Sequence, residues 1–141
     1  MQRTASAQWK GGLKDGKGTV STASGVLSNT QYSFSTRFES GAGTNPEELI
    51  AAAHAGCFSM ALSAELGKAN ITPQSIDTKC TLTFDKTDKG FTISESHLDV
   101  KARIPGANKA AFDKAAADAK AGCPISRALN TKITMTAALE G

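Results

Sequence analysis

The pattern of apolar and polar positions divides the chain into short alternating stretches, one long uncharged segment, a second alternating region and an amphipathic helix. Thr4 to Trp9 predicts an edge strand, the glycine-rich Gly11 to Gly18 a connection, and Thr19 to Ser24 a returning strand. A third strand is expected over Tyr32 to Phe38. There Tyr32, Phe34, Thr36 and Phe38 share one face, and Ser33, Ser35 and Arg37 the other. From spacing alone Arg37 reads as a solvated surface residue, because an unpaired arginine is rarely buried.

The segment from Thr44 to Lys68 predicts one long helix. Asn45 is placed to cap it, Pro46 suits its first position, and Glu48 falls where a capping box needs it. Gly67 is the expected left-handed terminator. From Leu49 to Ala64 no residue is charged, and the polar side chains are His54, Ser59 and Ser63, so the helix is expected to be buried nearly all round. The uncharged run is Ala-rich and falls short of the roughly 20 strongly apolar residues of a membrane span. Near its middle lies Cys57, on a stripe with Ile50, Ala53, Met60, Ala61 and Ala64.

Downstream, Ile76, Thr78, Cys80, Leu82 and Phe84 alternate with polar residues and predict a strand whose inner face holds Cys80 as a small packed hydrophobe. A turn at Lys86 to Gly90 returns the chain into Phe91 to Ile104. The apolar phase there changes from odd to even positions, which predicts a β-bulge near Glu95 to His97 and puts His97 at a rim. Asn108 caps an amphipathic helix to about Ala121, with Phe112, Ala115, Ala116 and Ala119 inward. Cys123 precedes Pro124 at the start of a further turn to Leu129, where backbone N–H groups favour a thiolate. Thr131 to Leu139 predicts a closing strand.

Composition narrows the function classes. At 141 residues, with 40% hydrophobic and 21% charged residues, the chain reads as a single domain spanning 1–141. A net charge of +3 without a basic cluster implies no nucleic-acid partner, and the N-terminus lacks the apolar core of a secretory signal, so a cytoplasmic protein without a membrane partner is expected. Three cysteines in such a chain point to reactive or buried thiols ahead of a disulfide framework. Neither a CxxC pair nor motif-grade zinc spacing occurs. A four-ligand set of His54, Cys57, His97 and Cys123 would recruit scattered residues, so no metal or other cofactor is expected.

Two segments carry a resemblance. NPEELIAAAHAGCFSMAL and the later AGCPIS resemble the two cysteine signatures of the osmotically inducible protein C and organic hydroperoxide resistance (OsmC/Ohr) family. GKGTVST, TRFE and SIDT extend the likeness over nearly the whole chain, on the osmotically inducible protein C branch. The resemblance implies an α+β fold of antiparallel sheets around two long helices, in an intertwined homodimer. It also implies a cysteine-based peroxidase acting on organic hydroperoxides in stress defence, with a dithiol reductant, a lipoylated protein. Carried over by motif, Cys57 matches the peroxidatic cysteine, Cys123 the resolving cysteine, Arg37 the activating arginine and Glu47 its carboxylate partner.

Elementary chemistry agrees with those roles. A thiol in an apolar pocket is inert unless a cation stabilises its thiolate, and a guanidinium that leaves water needs a carboxylate. Glu48 is expected in the capping box, which leaves Glu47 for Arg37. The two catalytic candidates Glu47 and Cys57 are ten residues apart, about 15 Å along a helix axis, which suggests a site completed by two subunits. A non-catalytic thiol or small-ligand-binding protein of the same fold is the alternative.

Overall fold

The computed structural model describes residues 1–141. In chain order the elements are β1 (Ala5–Lys10), β2 (Lys17–Thr22), β3 (Thr30–Tyr32), α1 (Phe34–Phe38), α2 (Pro46–Lys68), β4 (Ser75–Thr87), β5 (Gly90–Arg103), α3 (Lys109–Gly122), α4 (Pro124–Ala128) and β6 (Lys132–Glu140). They form two compact units, Met1–Leu49 and Ile50–Gly141, each described by itself below.

In the first unit β1, β2 and β3 make an antiparallel sheet in that order. Gly18 lies in β2 between the rings of Trp9 and Tyr32, whose centroids are 5.5 Å apart, and a Cβ at that position would meet both rings at 2.6 Å. Only glycine fits there.

The strand expected over Tyr32 to Phe38 is instead a strand end followed by a short helix. Ser33 is extended and caps α1: its Oγ accepts from Thr36 N–H at 3.3 Å, and Thr36 Oγ1 accepts from Ser33 N–H at 2.8 Å. This reciprocal box satisfies two otherwise orphaned donors and outweighs the period-two pattern. Phe34 and Phe38 then fall one turn apart, ring centroids 4.9 Å.

Helix α2 begins as expected, with Asn45 Oδ1 accepting from Glu48 N–H at 2.8 Å. Glu48 does not close the box. Its carboxylate takes the Thr44 hydroxyl at 3.0 Å. Nor does Gly67 terminate the helix: the left-handed residue is Asn70, φ 58°, and Ile71 N–H reaches back to the Leu66 carbonyl at 3.0 Å. Asparagine tolerates that conformation, and the six-to-one bond is that of a Schellman ending.

In the second unit β4 pairs antiparallel with β5, and β6 joins the other edge of β5 in parallel, so the sheets are not wholly antiparallel. The bulge falls at Ser94, since Thr83 faces Glu95 while Phe84 faces Ile93. That is one residue before the expected place and accounts for the change of apolar phase. The core draws Phe58, Leu62 and Leu66 from α2, Leu98, Val100 and Ala102 from β5, and Phe112, Ala115, Ala116 and Ala119 from α3. Each large member contributes about 1.5–3 kcal/mol by leaving water.

Burial all round α2 is not met within one chain. The helix buries a single stripe, while Ala53, Ala64 and Met60, the last 78% exposed, face outward. By length and composition α2 could cross a membrane, yet in the second unit its inner stripe carries the buried His54 and closes the core beside β5 and α3.

Candidate active site

The sequence-predicted residues form two clusters, one in each unit. In the first, the α1 cap aims Arg37 at Glu47 in the first turn of α2. Arg37 Nε donates to Glu47 Oε1 at 3.0 Å and Oε2 at 3.3 Å, and Nη2 donates to Oε1 at 2.8 Å. This side-on fork fixes the plane of the guanidinium. Glu47 is nearly buried and Arg37 keeps 39% of its side chain exposed, with its Cζ 5.2 Å from the Phe38 ring centre. Arg37 is therefore exposed, as strand spacing suggests, and at the same time held by a carboxylate. Beside it opens a cleft of about 230 Å³ lined by Trp9, Leu13, Tyr32, Phe34, Arg37 and Phe38. Sequence reasoning took these rings as one face of a strand. The overlooked signal is Ser33 followed three residues later by Thr36.

In the second unit α2 presents Cys57, half-buried on the flank of its inner stripe, and the α3–α4 junction presents Cys123, fully buried. Both are free thiols, and their sulfurs lie 2.7 Å apart although 66 residues separate them in the chain. Cys123 ends α3 and precedes Pro124 at the first position of α4. Burial pushes the Cys57 thiol up, and the Cys123 thiol adds to this, with the Ile125 backbone offsetting only part. For Cys123 burial also acts upward, but Cys57, the Ser126 backbone and hydroxyl, and the Ile125 backbone together outweigh it and bring the thiol down. The two thiols thus shift in opposite directions and titrate as a pair.

His54, one turn before Cys57, is fully buried with both ring nitrogens engaged: Nδ1 lies 2.7 Å from Ser96 Oγ and Nε2 2.7 Å from Ser126 Oγ. Burial lowers its pKa, so it is neutral. Cys80 lies on the inner face of β4, as expected, with Sγ 3.2 Å from Ser96 Oγ. His97 sits on β5 with Nδ1 2.7 Å from Thr134 Oγ1.

Comparison with known proteins is unambiguous. Residues 39–138 match the family described as OsmC-like protein. The chain is 52% identical to peroxiredoxin OsmC of Escherichia coli strain K12 over 135 residues, covering 96% of this chain and 94% of that one. Among solved structures it resembles an organic hydroperoxide resistance protein OsmC from Legionella pneumophila, at TM-score 0.68 and 26% identity over 98% and 97% of the two chains. It also resembles the organic hydroperoxide resistance protein OhrB of Bacillus subtilis, at TM-score 0.67 and 27% identity over 97% and 98%. With an α+β architecture, two cysteine motifs in place and a family match over most of its length, this chain belongs to the OsmC-like family.

Proposed function

We propose that this protein is a thiol peroxidase of the stress-defence type that reduces organic hydroperoxides, alkyl and fatty-acyl, to alcohols. The observation that carries the reading is the 2.7 Å approach of two free thiols in a chain half identical to a protein named peroxiredoxin. The Cys57 thiolate attacks the distal peroxide oxygen, the O–O bond breaks, and the alcohol leaves with a proton. The resulting Cys57 sulfenic acid condenses with Cys123, releasing water and forming a disulfide. A dithiol then reduces that disulfide, and a lipoylated protein is the proposed donor.

Arg37 is assigned the stabilisation of the Cys57 thiolate and of the developing charge on the peroxide oxygens, with Glu47 holding its plane. The aromatic cleft beside Arg37 supports a substrate with a hydrocarbon part, since each Å² of apolar surface it buries contributes about 25 cal/mol. The whole chain acts as one domain and works in the cytoplasm as a homodimer. The outward stripe of Ala53, Met60 and Ala64 on α2 supports a second copy crossing there, so that the Arg37–Glu47 pair of one subunit serves Cys57 of the other.

One titration separates this reading from a thiol or small-ligand-binding protein. A reductase loses two thiols per chain on one equivalent of cumene hydroperoxide and consumes the peroxide repeatedly with dihydrolipoamide. Retention of all three thiols after that addition would refute it.

A further inference from the structure

The two elements that carry the thiols are joined at a second point. Cys57 lies on α2 one turn after His54, and Cys123 opens α4 one turn before Ser126. The two sulfurs meet at 2.7 Å, and His54 Nε2 lies 2.7 Å from Ser126 Oγ. Residues three apart on a helix face the same side, so the thiol pair and the histidine–serine pair are two rungs between the same elements. α4 is five residues long, and the one buried among them is Ser126. So short a helix does not hold itself in place, and its seat depends on what its buried side chain grips. Cys123 N–H donates to the Ala119 carbonyl at 2.9 Å, and the Cys123 carbonyl accepts from Arg127 N–H at 3.0 Å. A shift of Ser126 is therefore passed to Cys123 through the backbone.

The histidine is itself anchored. Its Nδ1 lies 2.7 Å from Ser96 Oγ on β5, the central strand of the β4–β5–β6 sheet. His54, Ser96 and Ser126 are all buried, and no buried side-chain nitrogen or oxygen lacks a partner. A ring engaged at both nitrogens inside a core is fixed in rotamer and plane, so it gives Ser126 a rigid point to hold.

We propose that His54 and Ser126 are positioning residues of the resolving step: their hydrogen bond seats α4 on α2 and so keeps Cys123 within reach of Cys57. The inference rests on the peroxidase reading above. The bond touches neither reacting sulfur and moves no proton. In condensation the Cys123 sulfur attacks the sulfenic sulfur of Cys57, the S–S bond forms and the S–O bond breaks. The Cys123 sulfur is oxidised and the Cys57 sulfur reduced by the same amount. The hydroxyl leaves with the Cys123 proton as water, and that S–H is already directed at Cys57. What the bond supplies is effective concentration, which lets condensation outrun a second peroxide that would carry the sulfenic acid to sulfinic acid.

Two measurements on the full chain test this. The first needs no peroxide: the protein is equilibrated in glutathione buffers and the Cys57–Cys123 disulfide is read by peptide mass. The second adds excess cumene hydroperoxide and reads the ratio of disulfide to Cys57 sulfinic acid. Ser126→Ala should lower the effective concentration of the thiol pair about 10- to 100-fold, and the disulfide-to-sulfinic ratio with it. That is a rise of about 30–60 mV in the reduction potential of the pair. His54→Leu, which severs the same bond from the α2 side, should act alike. Ser126→Thr keeps the hydroxyl, and its methyl has room in the apolar cleft of about 340 Å³ that Ser126 lines with Ala117, Ala121, Ile133 and Met135, so it should recover most of both readouts. Ser96→Ala cuts the other hydrogen bond of the same ring, on a strand that carries neither reacting thiol, and should keep both readouts within about threefold of wild type. Wild-type readouts in Ser126→Ala and His54→Leu overturn the proposal. So do equal shifts in Ser96→Ala, the mark of general loosening. A wild-type protein that leaves the peroxide intact overturns the peroxidase reading instead, and the glutathione measurement still decides whether the bond seats Cys123.

Discussion

His54 also makes a prediction about stability that needs no peroxide. It is fully buried and its ring partners are the hydroxyls of Ser96 and Ser126, with no carboxylate in contact to hold a charge. Burial lowers its folded pKa below the ordinary 6.5, whereas in the unfolded chain it titrates normally. At pH values between those two, the unfolded state binds the proton and the folded state does not. Stability therefore falls as the pH is lowered below about 6.5, by up to about 1.4 kcal/mol per pH unit, until the folded pKa is reached. In a domain of this size that is roughly 5 °C in Tm per pH unit. Above about 6.5 this contribution is complete and flat. The comparison with a variant that lacks only His54 removes the contributions that Cys57, Cys123 and other groups share in both proteins.

The assay is urea unfolding from pH 5 to 7.5, comparing the wild type with His54→Gln. The variant leaves at least one buried hydroxyl without its partner and should lose about 1–3 kcal/mol at pH 7.5. It also removes the titrating group, so the two stability curves should converge as the pH falls. Curves that stay parallel from pH 7.5 to 5 would refute the argument, since they would mean that His54 titrates alike in both states.

Three further predictions concern the thiols, the arginine and the assembly. Cys57→Ser should abolish peroxide consumption, whereas Cys123→Ser should allow one turnover that stalls at a sulfenic or further oxidised acid, as intact mass and dihydrolipoamide-coupled turnover would read. Arg37→Ala should slow the reaction of Cys57 with peroxide at least 10-fold and move its pH profile to the alkaline side, with Arg37→Lys recovering only part because the planar fork to Glu47 is lost; an unchanged profile would return Arg37 to a surface role. Mixing inactive Cys57→Ser and Glu47→Ala subunits should restore one intact site per heterodimer, and a stable, active monomer or no complementation would count against a shared site.

Most of the fold was legible because burial and local chemistry agree along most of the chain. The phase change in β5 betrayed a bulge, Asn108 and Phe112 the course of α3, and Asn45 and Pro46 the start of α2. Three of the misreadings share one cause. At Ser33–Thr36, at Thr44–Glu48 and at Asn70, side chains or backbone groups within a few residues satisfy one another in a way that apolar periodicity does not register. The thiol pair was legible through its motifs. Ser96 and Ser126 were not, because a serine in a strand or short helix reads as surface until the buried histidine between them is seen.

On the proposed function, the charge on the thiol pair is what calls for Arg37. Burial and the neighbouring thiol push Cys57 up while Cys123 is brought down, whereas attack on a peroxide requires the thiolate on Cys57. A cation must reverse that bias. A guanidinium about 5 Å from the Cys57 sulfur, at an effective dielectric of about 20, would contribute roughly 3 kcal/mol, or a little over two pKa units. Glu47 cancels part of the field, so the arrangement works only if Arg37 lies between the carboxylate and the sulfur. Its side-on grip on Glu47, through Nε and Nη2, sets the plane of the guanidinium. On the proposed reading Glu47→Ala costs activity through the aim of Arg37 while leaving its charge intact.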